Sequence, residues 1–355
     1  MLTLGQCLFV RRCSVACNFI KNYIQELTPY STARDEFTGS ASTFLDANEN
    51  PYPSVVNRYP DPHQRALKRR IAELKKVAEE CIFLGNGSDE AIDLLVRIVD
   101  CEGGGITITS PTYGMYKVAA ANNGVSIVDA PLRGDFTLDV EAIAVASKSG
   151  SRLLFLCSPN NPTGQQYVLD DIRQVLAAFE GIVAVDEAYI DFADTSSALE
   201  LLATCERLVV LQTFSKAWGM AGIRLGMAFA APSIIQAMNK LKLPYNVSEL
   251  TQRYALERLQ EPERTRKEVA ELRSERARVA SELETLPGIN RVFPSGGNFI
   301  LVRMLDPRRI FENLQSRGIV VRDRSMERGC EGCLRVTIGT SEENDTLLDA
   351  LREVL

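Results

Sequence analysis

The chain of 355 residues holds a single histidine, His63, set just after Pro60 and Pro62. One imidazole in a proline-rich stretch argues against a Ser-His-Asp triad and against a histidine general base. Basic excess is also missing: 40 Lys and Arg face 46 Asp and Glu, for a net charge of −6 and a pI near 5.2. A general nucleic-acid surface needs a basic stripe, so none is expected. No apolar run approaches the ~18 residues of a membrane span, and no membrane association is expected. The apolar residues near the start precede Arg11 and Arg12, the reverse of a signal peptide, so residues 1–20 read as a poorly ordered extension or a misassigned start. Nine cysteines are an odd number without framework spacing, which suits free thiols in a reducing cytoplasm. Cys330-Glu331-Gly332-Cys333 has the spacing of half a zinc site, but nothing nearby completes it, and no metal is expected.

What is present is an ordinary globular composition, 45% hydrophobic and 24% charged, long enough for about two domains. The boundaries fall at 1–45 for an extension and arm, 46–260 for a large domain and 261–355 for a small C-terminal one. Prolines crowd residues 25–60 and keep that arm out of helix and strand. A helix follows at about 64–78, and Phe83-Leu84-Gly85-Asn86-Gly87-Ser88-Asp89-Glu90 opens another that runs to about Val99. From 105 to 230 apolar runs at 106–109, 125–129, 153–157, 182–185, 208–212 and 227–230 alternate with helical patterns near 112–122, 139–147, 168–179 and 197–204. That alternation predicts an α/β fold with a mostly parallel central sheet covered by helices on both faces. Further on come a long charged helix at 261–285, strands near 291–293, 299–302, 319–321 and 334–338, and helices near 307–316 and 341–353. These make a smaller α/β domain.

In such sheets ligands bind beyond the carboxyl ends of the strands. Three successive strand ends here carry chemistry. Ser158-Pro159-Asn160-Asn161-Pro162 offers an amide, Asp186-Glu187-Ala188-Tyr189 a carboxylate with a phenol, and Thr213-Phe214-Ser215-Lys216 an amine. Each alone has a plainer reading: a turn, a helix cap, a solvated lysine. Their coincidence does not. A desolvated Lys216 can be neutral near pH 7 and attack a carbonyl. Ser215, Arg224 and the backbone at Gly87 and Ser88 can hold a phosphate, the last two as free N–H groups at a helix start. Asp186 can pair with a protonated ring nitrogen, and Asn161 and Tyr189 can hydrogen-bond a ring oxygen. Together the parts fit pyridoxal 5′-phosphate, whose ring is an electron sink tuned by the protein.

The chain resembles the fold-type I aminotransferases, and among them the histidinol-phosphate aminotransferases. The matching motifs are Asp-Ala-Asn-Glu-Asn-Pro at 46–51, Arg-Tyr-Pro-Asp-Pro at 58–62, Gly-Asn-Gly-Ser-Asp-Glu at 85–90, and Ser-Pro-Thr-Tyr-Gly-Met-Tyr at 110–116. They continue with Ser-Pro-Asn-Asn-Pro-Thr-Gly at 158–164, Asp-Glu-Ala-Tyr at 186–189, Thr-Phe-Ser-Lys-Ala at 213–217, and Gly-Cys-Leu-Arg-Val-Thr-Ile-Gly at 332–339. Trp218 and Gly219 depart from the usual lysine motif without touching a chemical role. The resemblance implies that Asp89 lies in the cofactor site and that Tyr113 stacks on the cofactor ring. It implies that Tyr59 reaches the cofactor phosphate of a neighbouring subunit in a homodimer, and that Tyr30, Asn161, Arg322 and Arg335 grip the anionic groups of histidinol phosphate and glutamate. Without it, Arg322 and Arg335 would read as surface ion pairs. Three alternatives stay open: a threonine-phosphate decarboxylase-like lyase, a broad aromatic aminotransferase, and a sensor that binds the cofactor without turnover. The sensor is disfavoured, because residues 1–25 are too short for a DNA-binding module.

Overall fold

The computed structural model describes residues 15–32, 37, 41–101 and 103–355. The reading of residues 1–20 as an extension therefore falls largely outside the described residues. Its last part is corrected: Ala16 and Ile24 are fully buried, and Ile20 bridges Val99. Residues 19–21 add an edge bond on each side, Lys21 N–H to Ile98 O and Asp100 N–H to Phe19 O. Apolar residues at helical spacing hold this segment onto the large domain.

Seven strands form the large sheet: β1 Ile82–Asn86, β2 Ile106–Ile108, β3 Ile127–Asp129, β4 Leu153–Cys157, β5 Ile182–Asp186, β6 Leu208–Thr213 and β7 Leu225–Ala230. Their order is β1-β7-β6-β5-β4-β2-β3, and only β7 runs against the rest. β4, β5 and β6 are buried at every position. Successive side chains in a strand point to opposite faces, and the core divides accordingly. Leu154, Leu156, Val183, Val185 and Val210 pack on one side, and Leu153, Phe155, Ile182, Ala184 and Val209 on the other. Both faces are dry, which is why these strands read as continuous apolar runs.

The expectation that residues 83–86 simply lead into a helix is corrected, since they belong to β1, paired in register with β7. Gly85 and Asn86 dilute the strand signal of a run with only three large apolar residues. The helix expected at 197–204 is only the 3-10 turn Ala198–Leu201. The strand expected at 319–321 lies at Arg322–Asp323, and Val320 is left 81% exposed.

The long helix Pro262–Thr285 leads into a four-stranded antiparallel sheet made of β8 Ile289–Val292, β9 Phe299–Met304, β10 Arg322–Asp323 and β11 Cys333–Thr337. Leu334 and Val336 face its own core with Ile300 and Val302, whereas Phe299, Leu301 and Cys333 join the core of the large domain. The alternation turns Arg335, two residues from Cys333, toward the large domain.

Candidate active site

The carboxyl ends of β4, β5 and β6 lie side by side, with Cys157 opposite Asp186 and Asp186 opposite Leu211. Beyond them opens a cavity. Ten of the positions singled out in the sequence line it: Gly87, Ser88, Asp89 and Tyr113 on one side, and Asn161, Asp186, Tyr189, Ser215, Lys216 and Arg224 on the other.

Asp186 ends β5 with only 2% of its surface exposed. Its Oδ2 accepts the Tyr116 hydroxyl at 2.7 Å and its Oδ1 accepts the Ala188 N–H at 3.1 Å. Burial nevertheless pushes its carboxyl up to about 6, with the two hydrogen bonds and Lys216 pulling the other way. Glu187, the next residue, points to the opposite face, where it accepts from Ser197 Oγ, the Ala198 N–H and Gln212 Nε2. Strand alternation thus sends only one of two adjacent carboxylates into the site.

Lys216 opens onto the cavity with its Nζ 5.6 Å from the Tyr189 ring centroid. Its amine is lowered from the ordinary lysine value, first by burial and then by Arg335, against the pull of Asp186 and Asp89. The direction is the one a Schiff-base lysine needs.

The candidate anion site is built where β7 crosses the start of the helix Ser88–Ile98. Gly87, at φ +76°, caps that helix and donates its N–H to Arg224 O. A Cβ on Gly226 would lie 2.1 Å from Ser88 N, so the glycine lets β7 and the helix start touch. A Cβ on Gly87 would fall 2.7 Å from Arg224 Nη2, so the guanidinium occupies the space beside the turn. Thr213 Oγ1 accepts the Ser215 N–H and lies 3.0 Å from Ser215 Oγ. The open N–H groups of a helix N-terminus, a hydroxyl and a guanidinium make an anion receptor. Asp89 is itself an anion, and it braces two neighbours: Oδ1 accepts the Tyr113 hydroxyl at 3.1 Å, and Oδ2 lies 3.5 Å from Arg224 Nη2.

Asn161 is tied across the domains, with Arg335 Nη1 donating to its Oδ1. That bond fixes the amide so that Nδ2 is the group left to donate. Arg335 lies over Phe299, 5.4 Å from its centroid, and Phe299 meets the Tyr189 ring edge-on. The Arg335 Nε is buried without a partner, an open donor on the small-domain side of the site.

The remaining positions lie elsewhere. Arg322 is exposed, the cross-strand partner of Arg335. Tyr30 is 74% exposed beside His63 and Lys240, and Tyr59 stacks on Tyr245 at 4.5 Å in a separate hollow. Two residues near the site escape sequence reasoning. Tyr116 is visible only as a second tyrosine one helical turn from Tyr113. Arg324 follows Arg322 by two and so shares its face; it pairs with Glu327 at 2.6 Å while its Nε is buried without a partner. Its charge reaches both Tyr189 and Arg335.

The donor set suits the phosphate, ring nitrogen, ring oxygen and aldehyde of pyridoxal 5′-phosphate. The decisive observation is Asp186, a buried carboxylate with both oxygens anchored by neutral donors and, among the described residues, none of its hydrogen bonds coming from a cation. Comparison with known proteins agrees. The family model described as aminotransferase class I and II matches residues 46–351. A histidinol-phosphate aminotransferase of Cytophaga hutchinsonii is 49% identical over 341 residues, covering 94% of this chain and 98% of its own length. One of Parabacteroides distasonis is 49% identical, covering 95% and 98%. The crystal structure of histidinol-phosphate aminotransferase from Sinorhizobium meliloti in complex with pyridoxal-5'-phosphate superposes with a TM-score of 0.77 at 26% identity, covering 87% of this chain and 89% of that one. On that span and identity, the chain belongs to the class I and II aminotransferases and, among them, to the histidinol-phosphate aminotransferases.

Proposed function

We propose that the protein transfers an amino group reversibly between L-histidinol phosphate and 2-oxoglutarate, giving imidazole-acetol phosphate and glutamate, in histidine biosynthesis. The observation that carries this reading is the 49% identity to curated relatives of that name along almost their whole length. Bound pyridoxal 5′-phosphate supplies an aldehyde for amines and a protonated ring that takes up the electron pair of a broken C–H bond. The residues do the rest. Ser215, Arg224 and the Ser88 N–H would hold the phosphate, the Gly87 N–H being taken by Arg224 O, and Tyr113 would cover the ring. Asp186 holds a negative charge at the ring nitrogen. Asn161 and Tyr189 donate to the ring oxygen. Lys216, free as a neutral amine, accepts and returns the proton at Nζ. Arg335, with Arg322 and Arg324 near it, binds the anionic end of each substrate, because a guanidinium forks onto a carboxylate or a phosphate alike.

A substrate panel tests this. L-histidinol phosphate is expected to exchange its amino group far faster than phenylalanine or tyrosine, and O-phosphothreonine is expected to release no carbon dioxide. Carbon dioxide release, or turnover of aromatic amino acids alone, would replace the proposal with one of the other readings.

The working unit is a homodimer in which Tyr59 reaches the phosphate site of the second copy. Val56, Tyr59, Tyr245 and Leu250 line one surface hollow, and Tyr52, Leu243 and Tyr254 are also exposed. Exposed apolar groups of this size suit an interface. Mixing Lys216→Ala with Tyr59→Ala subunits would then rebuild one intact site per hybrid, recovering about a quarter of wild-type activity on random reassortment. No recovery, with hybrids present, would mean that Tyr59 acts within its own subunit. The cytoplasm is the compartment this reading implies. In keeping with it, the cysteines whose side chains are described are free thiols, and among the described residues no helix is long and apolar enough to cross a membrane.

A further inference from the structure

We propose that Tyr116 is a positioning residue that fixes the orientation and charge of Asp186 and, through it, the protonation of the cofactor's ring nitrogen. The proposal rests on pyridoxal 5′-phosphate being the group bound here, and not on which amine is the substrate.

Tyr116 sits on the buried face of the helix Met115–Asn122 and is 0% exposed. Its ring stacks on Phe155 of β4 at 4.7 Å and 6°, and meets Tyr113 edge-on at 5.6 Å and 87°. From that fixed platform the hydroxyl donates to Asp186 Oδ2 at 2.7 Å. The other oxygen is held by the Ala188 N–H. Two anchors set the carboxylate plane and leave its remaining lone pairs for the cavity. Tyr116 does not line the cavity itself, so it acts through Asp186.

The other groups around Asp186 do not substitute for it. Asp89 repels the carboxylate's charge and Lys216 attracts it, but the latter is itself drawn toward neutrality by burial. Cys157, Tyr113 and Tyr189 are buried or half-buried, and burial raises all three, so they stay neutral. Tyr116 is also raised well above its ordinary value, by burial first and then by Asp186. It is therefore a permanent donor across the working pH range. Its hydrogen bond is the one given by a side chain to Asp186 among the described residues, and it favours the ionised carboxylate. An ionised Asp186 is what a protonated ring nitrogen requires.

The test is Tyr116→Phe in the full-length protein, a change that keeps the stack on Phe155. The protein is first freed of cofactor, and the infrared band of the protonated Asp186 carboxyl is followed against pH, identified by its loss in Asp186→Asn. Removing a hydrogen bond to a charged group is expected to move this titration up by about one pH unit. Binding of pyridoxal 5′-phosphate at pH 5, below both titrations, is expected to weaken about tenfold. Binding of the analogue with C–H in place of the ring nitrogen should hold, since it makes no demand on the charge of Asp186. An unmoved titration, or equal weakening for both ligands, would overturn the proposal and leave Tyr116 as packing alone. Failure to turn over histidinol phosphate would touch neither readout.

Discussion

Lys216→Ala removes amino-group exchange, lowering turnover by at least about 10⁴-fold, because it deletes both the covalent tether and the base that carries the proton. The loss should lie in the chemical step: both amino donors still bind, and their proton no longer leaves the substrate carbon. Single-turnover absorbance measurements on the variant, set against substrate binding measured separately, distinguish these steps. Folding should not suffer. Lys216 is flanked by Tyr189 and by cations at Arg335 and Arg224, and burial lowers its amine from the ordinary value. A group so placed costs stability when charged; alanine relieves a cost that is complete below the lowered pKa, shrinks between it and the ordinary lysine value, and is gone above that value. A variant with near-normal turnover would remove Lys216 from the mechanism.

Asp186→Asn carries the second large effect, with opposite signs for activity and stability. Its folded carboxyl titrates at about 6 against an ordinary 3.8. In cofactor-free protein the native state therefore holds the proton more tightly than the unfolded chain. Relative to a neutral side chain, ionised Asp186 costs nothing well below pH 4. The cost grows between pH 4 and 6 and is complete above that range, on the order of 3 kcal/mol for a shift of about two units. The asparagine protein, freed of cofactor, should be more stable than wild type at pH 7.5 by about that amount, and equal to it near pH 3.5. Denaturant unfolding at the two pH values reads this directly. Its catalysis should fall by about 10²–10³-fold, as expected on deleting one preorganised charge at the reacting group. Glu187 adds to the same pH trend, because burial raises it to about 7. Acidification from pH 7 toward 4 should thus stabilise the cofactor-free protein through both carboxyls. Equal stability of wild type and Asp186→Asn at pH 7.5 would mean that the site already satisfies the charge.

The central sheet was legible because β4, β5 and β6 are dry on both faces and so appear as unbroken apolar runs ending at the residues that matter. Asp186, Asn161 and Lys216 could be found in that way, since a parallel sheet gathers its strand ends. β1 was harder: Gly85, where a Cβ would meet Phe83 and Glu90, and Asn86, which donates to Asn246 O, weaken the very run that would mark a strand. Tyr116 could not be distinguished from core. Its role depends on a partner 70 residues away, and local spacing carries no information about that. Arg324 was hidden for the opposite reason. Two residues after Arg322 and three before Glu327 it looks like surface charge, and only the pairing of β10 with β11 turns it toward Arg335. The segment 15–20 was misjudged because the docking surface that buries Ala16 and Ile20 is supplied by residues far along the chain.

The most direct test of the whole account is to saturate the purified protein with pyridoxal 5′-phosphate, reduce it with borohydride and map the modified peptide. The account predicts one phosphopyridoxyl group, on Lys216, lost in Lys216→Ala and displaced beforehand by histidinol phosphate. A protein that takes up no label, or carries it on another lysine while remaining active, would contradict it.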